Sequence, residues 1–431
     1  MTMADHYGIV GGGMLGLMLA YRLRQCGNSV TILEAAPQVG GLAAEWELGG
    51  VTWDKHYHVI LLSDAHVRGL LTEIGLADEL RWVETKTGFY TDGQLYSMSN
   101  SWEFLKFPPL GLLDKFRLGL TIFRASKIKD WQRLERVPVV DWLKKWSGRR
   151  TFEKIWLPLL RAKLGESYRI ASAAFIWATI ARMYAARRSG MKKELFGYVR
   201  GGYATILDRY VSKLRERGVE LIANAPVAKI VEGPKIELTS GEVREFDRVI
   251  CTSAPPLAVK LVPGLSADEQ TKLNDLTYQG IVCASVLLKK PLSRFYVTNL
   301  TDDWLPFTGV IEMTALVDPV EFGGRTLVYL PKYVAPDDPL FTEPDDSIRE
   351  RFLAALERMH PEFQRSDVLA FQLAKVKHVF AVPTLNYSER VPDMKTSVEG
   401  VYLVNSSHII NGTLNVNETL QLAEQAVGRI V

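Results

Sequence analysis

Residues 7–16 read Tyr-Gly-Ile-Val-Gly-Gly-Gly-Met-Leu-Gly. The first four form an apolar run of strand length, and a helical apolar pattern follows and stops at Gly27. Between them, Gly11, Gly13 and Gly16 have the spacing of a turn that binds a diphosphate. Gly11 permits the tight turn, Gly13 lets the diphosphate approach the backbone, and Gly16 lets the helix pack on the strand. The stretch therefore predicts a strand–turn–helix unit that binds a dinucleotide.

A second apolar run of strand length covers residues 30–33 and ends in Glu34. Strand, helix and strand together form one βαβ unit, so we predict an α/β fold built on a doubly wound parallel sheet. The carboxylate of Glu34 is placed to accept hydrogen bonds from ribose hydroxyls and to repel a 2′-phosphate. NADP is therefore disfavoured, whereas these residues alone do not distinguish NAD from FAD.

The rest of the chain alternates helical and β-rich blocks. From about residue 78 to 197 the pattern predicts mainly helices, and residues 280–335 contain several β-rich runs. A helix is predicted over 347–359, a buried strand over 401–404 and a last helix over 417–430. No internal repeat or low-complexity linker separates these blocks, so we predict that they are inserted into the doubly wound sheet.

Basic residues are concentrated between residues 101 and 200. This block holds 22 Lys and Arg against 8 Asp and Glu, a net charge of +14 in a chain whose formal charge is +3. It also holds six of the ten tryptophans, which are Trp102, Trp131, Trp142, Trp146, Trp156 and Trp177. Basic and aromatic residues together suit an anionic membrane surface or an acidic substrate, and a merely solvated helical face is the alternative. Nucleic acid is not expected as a partner, because no recognition motif accompanies the charge.

The cysteines, Cys26, Cys251 and Cys283, are too few and too scattered for a disulfide framework or a zinc site. We therefore predict no metal, and the free thiols indicate a reducing, cytoplasmic compartment. No uncharged run is apolar throughout and long enough to span a membrane. The strand pattern begins by Tyr7, which leaves no room for a secretory signal. Any association with a membrane is then predicted to be peripheral.

Glu34 is followed by five residues and then by Gly40 and Gly41. This spacing resembles the Glu-x5-Gly-Gly signature of the superfamily of FAD-dependent amine oxidases, protoporphyrinogen oxidases and phytoene desaturases. The resemblance continues along nearly the whole chain, through residues 49–54, 200–203, 227, 247–250, 400–404 and 415–418. Two positions depart from the pattern: residues 405–407 read Asn-Ser-Ser in place of Gly and an acid, and Leu42 stands where amine oxidases often have arginine. The chain therefore resembles the protoporphyrinogen oxidase and desaturase side of the superfamily.

The resemblance implies a Rossmann-type FAD-binding domain with an inserted substrate domain. Its expected parts are a discontinuous FAD-binding domain (1–77, 198–255 and 396–431), a helical, basic cap (78–197) and a substrate-binding β-sheet domain (256–395). The backbone of Val227 is expected to hold the adenine. The amino end of the last helix is expected to point at the pyrimidine oxygen of the flavin, where a helix dipole favours negative charge. The residues expected to bind FAD are Gly11, Gly13, Met14, Leu15, Gly16, Glu34, Ala35, Gly40, Gly41, Leu42, Val227, Asn405, Ser406, Asn415 and Val416.

The catalytic candidates are two histidines and one lysine. His56 and His58 follow residues that the superfamily places near the flavin ring, and strand alternation predicts both on one face with Tyr57 on the other. A histidine there can move protons during an oxidation, and the alternative is that both rings satisfy local backbone groups. Lys332 resembles the lysine with which amine oxidases hold a water near flavin N5, and the alternative is an ordinary surface lysine.

The predicted activity is FAD-dependent dehydrogenation of a sizeable, apolar small molecule by hydride transfer to flavin N5. A second dinucleotide fingerprint is not evident in the sequence, so the electrons are expected to pass to oxygen, a quinone or another acceptor. Two alternatives share the expected fold. One is a redox-neutral flavoenzyme resembling UDP-galactopyranose mutase, and the other is a non-catalytic binding protein resembling Rab GDP-dissociation inhibitor.

Overall fold

The structure is a computed structural model that describes residues 4–187 and 195–431. The strands in this part of the chain are β1 (His6–Val10), β2 (Ser29–Leu33), β3 (Glu45–Leu48), β4 (Val51–Asp54), β5 (Ile60–Leu61), β6 (Leu80–Glu84), β7 (Thr87–Thr91), β8 (Gln94–Ser97), β9 (Leu195–Val199), β10 (Glu220–Ile222), β11 (Val227–Val231), β12 (Lys235–Leu238), β13 (Val243–Glu245), β14 (Arg248–Cys251), β15 (Tyr278–Leu288), β16 (Val297–Leu300), β17 (Gly309–Glu312), β18 (Thr326–Val334), β19 (Val368–Ala381) and β20 (Val401–Leu403). The α-helices are α1 (Met14–Gln25), α2 (Ala65–Glu73), α3 (Ser101–Lys106), α4 (Leu112–Ala125), α5 (Gln132–Glu135), α6 (Val139–Ser147), α7 (Arg149–Thr151), α8 (Leu157–Leu164), α9 (Ala173–Arg187), α10 (Gly202–Glu216), α11 (Pro255–Leu261), α12 (Ala267–Asn274), α13 (Asp345–Met359), α14 (Tyr387–Arg390) and α15 (Val416–Ile430).

A five-stranded parallel sheet carries the glycine-rich turn, with strand order β10-β2-β1-β14-β20. β1 and β2 are buried at all but their first residues, as expected for parallel strands that helices cover on both faces. Helices α1, α10 and α15 share a hydrophobic core with the sheet, which includes Leu17, Tyr210 and Leu420. This order, with β1 in the middle, is that of a doubly wound α/β fold, and it confirms the predicted fold class.

A seven-stranded mixed sheet has the order β19-β15-β18-β17-β16-β7-β8. Strand β15 is buried at every position and pairs antiparallel with β18 and β19. Successive side chains of a strand point to opposite faces of the sheet. On one face, Leu330 packs in a core with Phe352 and Leu356 of α13. On the other, Tyr329 and Tyr333 belong to the core shared with the helices of the basic block.

Residues 80–97 form strands, so the helical prediction for 78–197 was wrong at its start. β6 joins β5 and β9 in a small antiparallel sheet, whereas β7 and β8 form a hairpin at the edge of the seven-stranded sheet. The hairpin turns at Asp92 and Gly93, which both have positive φ, 51° and 74°. An Asp-Gly pair between short strands is a hairpin signal, and these strands are too short to show a clear period-two pattern.

Helices α3 to α9 account for most of the basic block that the structure describes, in agreement with the helical prediction for that part. The predictions of a helix near 347–359, a strand near 401–404 and a helix near 417–430 agree with α13, β20 and α15. The domain boundaries stay a prediction. Strands β7 and β8 fall inside the predicted cap, yet they pair with the sheet assigned to the substrate domain.

Candidate active site

The turn between β1 and α1 leaves an open space at the amino end of a helix. Gly11 has a φ of +106°, and a Cβ on it would lie 2.4 Å from Thr252 Oγ1. A Cβ on Gly16 would lie 2.0 Å from the carbonyl oxygen of Gly11. Gly13 is the N-cap of α1 and has no side chain, so the first N–H groups of the helix stay accessible to a ligand. The residues present therefore fit the diphosphate of a dinucleotide.

The carboxylate of Glu34 accepts hydrogen bonds from two backbone N–H groups at the edge of this turn. Its Oε2 accepts a hydrogen bond from the N–H of Gly12 at 2.6 Å, and its Oε1 accepts one from the N–H of Ala36 at 2.8 Å. Each carboxylate oxygen can accept more than one hydrogen bond, so both can still accept from ribose hydroxyls. The N–H of Gly40 donates to the carbonyl of Gly12 at 2.8 Å, which brings the second glycine pair beside the first turn.

A cavity of about 820 Å³ extends from this turn to the seven-stranded sheet and the helices of the basic block. The predicted site residues that line it are Gly13, Met14, Leu15, Gly40, Leu42, His56, His58, Ser406, Asn415 and Val416. The other predicted site residues lie outside its wall, and they are Gly11, Gly16, Glu34, Ala35, Gly41, Val227, Asn405 and Lys332. Gly41 and Glu34 instead border a smaller, second cavity, of about 430 Å³.

Val227 begins the strand β11 and lies near the carboxyl end of β2. The N–H of Ala225 donates to the carbonyl of Glu34 at 2.9 Å, and the N–H of Glu34 donates to the carbonyl of Ile222. These bonds hold the segment before Val227 beside the acidic residue. The arrangement is compatible with the predicted adenine contact.

The amino end of α15 and the loop after β20 meet at the cavity. Asn415 is the N-cap of α15, and its Oδ1 accepts a hydrogen bond from the N–H of Glu418 at 3.1 Å. Asn405 is buried, and its Oδ1 accepts from the N–H and the Oγ of Ser407. Its Nδ2 is buried and has no hydrogen-bond partner among the described residues, but Asn405 itself lies outside the cavity wall. Asn415 and Val416, at the amino end of α15, line the cavity and therefore fit the polar edge of a bound flavin.

His56 and His58 lie in an irregular segment between β4 and β5, so the predicted strand alternation was wrong. Tyr57 lines the cavity together with both histidines. Burial, together with the smaller effects of the neighbouring His58 and Lys55, lowers the pKa of His56 to about 3. The His56 ring is therefore neutral near pH 7, and its Nδ1 has no partner among the described residues. His58 Nδ1 lies 3.5 Å from Asp54 Oδ2.

Lys332 lies on the face of β18 that turns away from the cavity, so the structure does not support its catalytic assignment. Its neighbours on that face, Leu330 and Val334, pack in the core formed with α13. Tyr333, at the next position, points to the opposite face and lines the cavity. The pKa of Lys332 is lowered mainly by burial, and the charge of Asp338 partly opposes this effect.

A different lysine, which the sequence prediction missed, lines the cavity. Lys163 extends from α8, and its Nζ donates a hydrogen bond to the hydroxyl of Tyr333 at 2.7 Å. The same Nζ lies 3.9 Å from the centre of the Tyr333 ring and 5.1 Å from that of Phe380. The Tyr333 hydroxyl in turn lies 3.0 Å from the hydroxyl of Tyr57. Lys163 follows Leu159 and Leu160 at helical spacing, which is the sequence signal that could have placed it on a buried face.

The charges around the cavity are predominantly positive. Lys163 and Arg182 line it, whereas no Asp or Glu of the described chain does. The guanidinium of Arg182 binds the buried carboxylate of Asp64 at 3.0 and 3.1 Å. Burial, and to a lesser extent the charge of Arg182, lower the pKa of Lys163 to about 7. The ammonium of Lys163 lies within 4.0 Å of no carboxylate in the described part of the chain.

A doubly wound sheet, a glycine-rich turn that fits a diphosphate and a cavity beside it define a dinucleotide-binding α/β protein. Residues 15–430 match the sequence profile of the family described as flavin containing amine oxidoreductase. The chain belongs to this family. In the described residues, no helix is both long enough and apolar enough to cross a lipid bilayer.

Two curated relatives illustrate the chemistry of the family. The chain is 26% identical over 281 residues to a coproporphyrinogen III oxidase of Mycobacterium bovis, which covers 60% of this chain and 61% of the relative. It is 21% identical over 337 residues to a 4,4'-diapophytoene desaturase of Staphylococcus haemolyticus, which covers 66% and 63%. The chain thus spans less than two thirds of the length of these relatives.

Solved structures share the fold over nearly the whole chain. An oxidoreductase from Methanosarcina mazei superimposes with a TM-score of 0.76 at 18% identity, covering 98% of this chain and 100% of the other. A reduced UDP-galactopyranose mutase superimposes with a TM-score of 0.73 at 14% identity, covering 99% and 96%. At these identities the likeness concerns the fold alone.

Proposed function

We propose that this protein dehydrogenates a sizeable, largely apolar small molecule that binds in the 820 Å³ cavity. The observation that carries the proposal is that one cavity joins the glycine-rich turn and the amino end of α15 to a wall of aliphatic and aromatic side chains. That wall includes Trp156, Leu160, Phe175, Ile176, Ile180, Val379 and Phe380. Bound FAD would supply the two-electron oxidation, and the protein would supply binding, orientation and exclusion of water.

His56 is the proposed proton acceptor. Its buried ring is neutral near pH 7 because its pKa is about 3, so Nδ1 has a free lone pair in one tautomer. A low pKa makes His56 a weak base. It would therefore accept a proton only transiently, while the substrate is dehydrogenated. His58 is the second candidate, since it lines the same wall and contacts the carboxylate of Asp54. The assignments of the FAD-binding residues are likewise part of this proposal.

The experiment is an anaerobic titration of the purified flavoprotein with a porphyrinogen, a polyene, an amine and a glycolipid, monitored by the visible absorbance of the flavin. Bleaching by one of the first three, followed by recovery of colour with oxygen or a quinone, is the expected result. If none of these compounds bleaches the flavin of a fully loaded protein, the proposal is wrong. Gly16→Ala protein, expected to bind less flavin, serves as the control for signals that do not come from the cofactor.

A redox-neutral reaction is the second candidate, because a mutase shares the fold over nearly the whole chain. In that case the flavin would have to be reduced before turnover, and no electron acceptor would be consumed. Turnover of a sugar nucleotide by the dithionite-reduced protein, without net oxidation, would favour the mutase. Membership of an oxidoreductase family argues against the non-catalytic binding protein.

We further propose that helices α3 and α4 rest on an anionic membrane surface. Seven large apolar side chains of these helices are exposed, and we call them the α3–α4 face: Trp102, Leu105, Leu112, Leu113, Phe116, Leu120 and Phe123. The opposite side of α4 is buried through Leu118 and Ala125, so the helix is apolar on both sides. A soluble surface rarely exposes such a patch without a partner.

Cations next to the α3–α4 face favour a membrane as that partner. The Nζ of Lys106 lies 4.7 Å from the Trp102 ring, and the Nζ of Lys127 lies 5.4 Å from the Phe123 ring. Apolar residues flanked by cations match the boundary between acyl chains and anionic headgroups. Ile122, on the same helix, lines the cavity, so one turn of α4 connects the proposed membrane contact with the substrate site.

A further inference from the structure

Lys163 has the surroundings of a cation that lacks its counter-ion. Its ammonium contacts a phenol hydroxyl and two aromatic rings, and no carboxylate of the described chain lies within 4.0 Å of it. Part of its side chain faces the cavity, whereas the rest is enclosed by protein. An ammonium in such a place is costly unless an anion pairs with it. Because Lys163 lies on the cavity wall, a ligand bound in the cavity would supply that anion.

We propose that Lys163 is the anion-binding subsite of the cavity and pairs with a carboxylate of an otherwise apolar substrate. The proposal rests on the proposed function and deepens it by naming a substrate class. A single ammonium, with the charge of Arg182 already paired to Asp64, matches a singly charged group better than a doubly charged phosphate. The aliphatic and aromatic wall around Lys163 matches the apolar body.

The diphosphate of the cofactor is a less suitable partner for this lysine. Lys163 contacts Tyr333 and Phe380, which belong to the seven-stranded sheet. The glycine-rich turn instead lies at the end of the parallel sheet and offers its own N–H donors. Lys163 variants are therefore expected to keep their flavin, which can be measured separately from substrate binding.

The titration of Lys163 agrees with this role. Its pKa is lowered to about 7 by burial and by Arg182. The other titratable groups of the wall are Tyr57 and Tyr333 next to it, and His56, His58 and His378. A bound carboxylate favours the charged form of Lys163, so binding is expected to take up a proton near neutral pH.

The test uses cis-parinaric acid and its methyl ester, two fluorescent polyenes that differ only in the carboxylate. Their dissociation constants are measured on the flavin-loaded wild type and on the Lys163→Met, Lys163→Arg and Lys332→Met variants. Wild type and Lys332→Met are expected to bind the acid about tenfold or more tightly than the ester. Lys163→Met is expected to lose that preference with little change for the ester, and Lys163→Arg is expected to retain part of it.

Equal binding of acid and ester by the wild type, binding of neither, or a preference that survives in Lys163→Met would overturn the proposal. So would loss of flavin from Lys163→Met, because the lysine would then serve the cofactor. These outcomes are distinct from failure of the proposed function, which is decided by flavin reduction with the candidate substrates. If the protein oxidises a substrate but binds both probes equally, the proposed function stands and the proposed anion subsite is wrong.

Discussion

The carboxylate of Asp54 accepts a hydrogen bond from the backbone N–H of Tyr203, with 2.8 Å between Oδ1 and N. Asp54 ends β4, and Tyr203 lies in the first turn of α10. The contact therefore joins β4, which leads into the segment with His56 and His58, to α10, which packs on the parallel sheet. Gly202 has a φ of +67°, and a Cβ on it would lie 2.8 Å from the same oxygen. A carboxylate at a helix amino end is also favoured by the helix dipole.

Loss of this carboxylate is expected to destabilise the protein. Asp54→Ala leaves a buried N–H without an acceptor, and we expect the free energy of unfolding to fall by about 1–3 kcal/mol. Asp54→Asn keeps an oxygen that can accept this hydrogen bond, so its free energy of unfolding should fall by less. Urea unfolding measures both, with the exposed Asp303→Ala as a control expected within about 0.5 kcal/mol of wild type. Equal stability of Asp54→Ala and wild type would contradict the capping role.

Close packing of Gly16 on Gly11 predicts the effect of a single added methyl group. In Gly16→Ala the new Cβ would lie 2.0 Å from the carbonyl oxygen of Gly11, so the amino end of α1 must move away from the turn. We expect the displacement to cost about 1–3 kcal/mol and to weaken FAD binding by about tenfold or more.

The flavin content of the purified variants, measured by absorbance after heat release, checks this expectation. Gly428→Ala is the matched control, because it lies in α15 and its Cβ would meet no atom within 4 Å. A Gly16→Ala protein with wild-type flavin content would show that the turn does not hold the diphosphate.

The predicted glycine-rich turn agrees with the structure because its signal is local. A strand, three spaced glycines, a helix and Glu34 all lie within one βαβ unit, and Gly11 and Gly16 each have an identifiable steric reason. The last helix, predicted over 417–430, is equally local, and the structure begins it at Val416 with Asn415 as the N-cap. The signal for the Asp92–Gly93 hairpin was also local, and this Asp-Gly turn signal should have outweighed the helical pattern around it.

The choice between Lys332 and Lys163 depends on tertiary packing, which the sequence does not contain. Strand alternation separates Lys332 from Tyr333, but it does not reveal which face of β18 is covered by α13. Lys163 lies in a helix far from β18 in sequence, and its contact with Tyr333 exists only in the folded chain. Lysine side chains are mostly exposed, which is why an ordinary surface position was the alternative for Lys332.

The lowered pKa of Lys163 predicts a pH-dependent stability difference. Its pKa is about 7 in the folded protein and 10.5 in the unfolded reference, so between these values the unfolded chain binds a proton that the folded protein does not. The free energy of unfolding of the wild type should therefore rise with pH across this window, relative to Lys163→Met. We expect a relative gain of about 1–2 kcal/mol between pH 7 and pH 9.

Urea unfolding of both proteins at pH 7, 8 and 9 measures that gain, because contributions from other groups cancel in the difference. Lys163→Arg provides a second reference, since arginine stays charged throughout the window. Parallel pH profiles for the wild type and Lys163→Met would mean that the ammonium is not disfavoured by its surroundings.

The α3–α4 face predicts binding to anionic vesicles. Leu113 and Phe116 are 69% and 68% exposed, so replacing both with glutamate removes apolar area and adds negative charge without disturbing the core. We expect the wild type to co-sediment with vesicles of phosphatidylcholine and phosphatidylserine, and the Leu113→Glu/Phe116→Glu protein to bind about tenfold more weakly. Val320→Glu is the matched control, because Val320 is 80% exposed and lies outside this face. Binding that does not depend on the anionic lipid, or that Val320→Glu weakens as much as the double variant, would assign the exposed side chains to another partner.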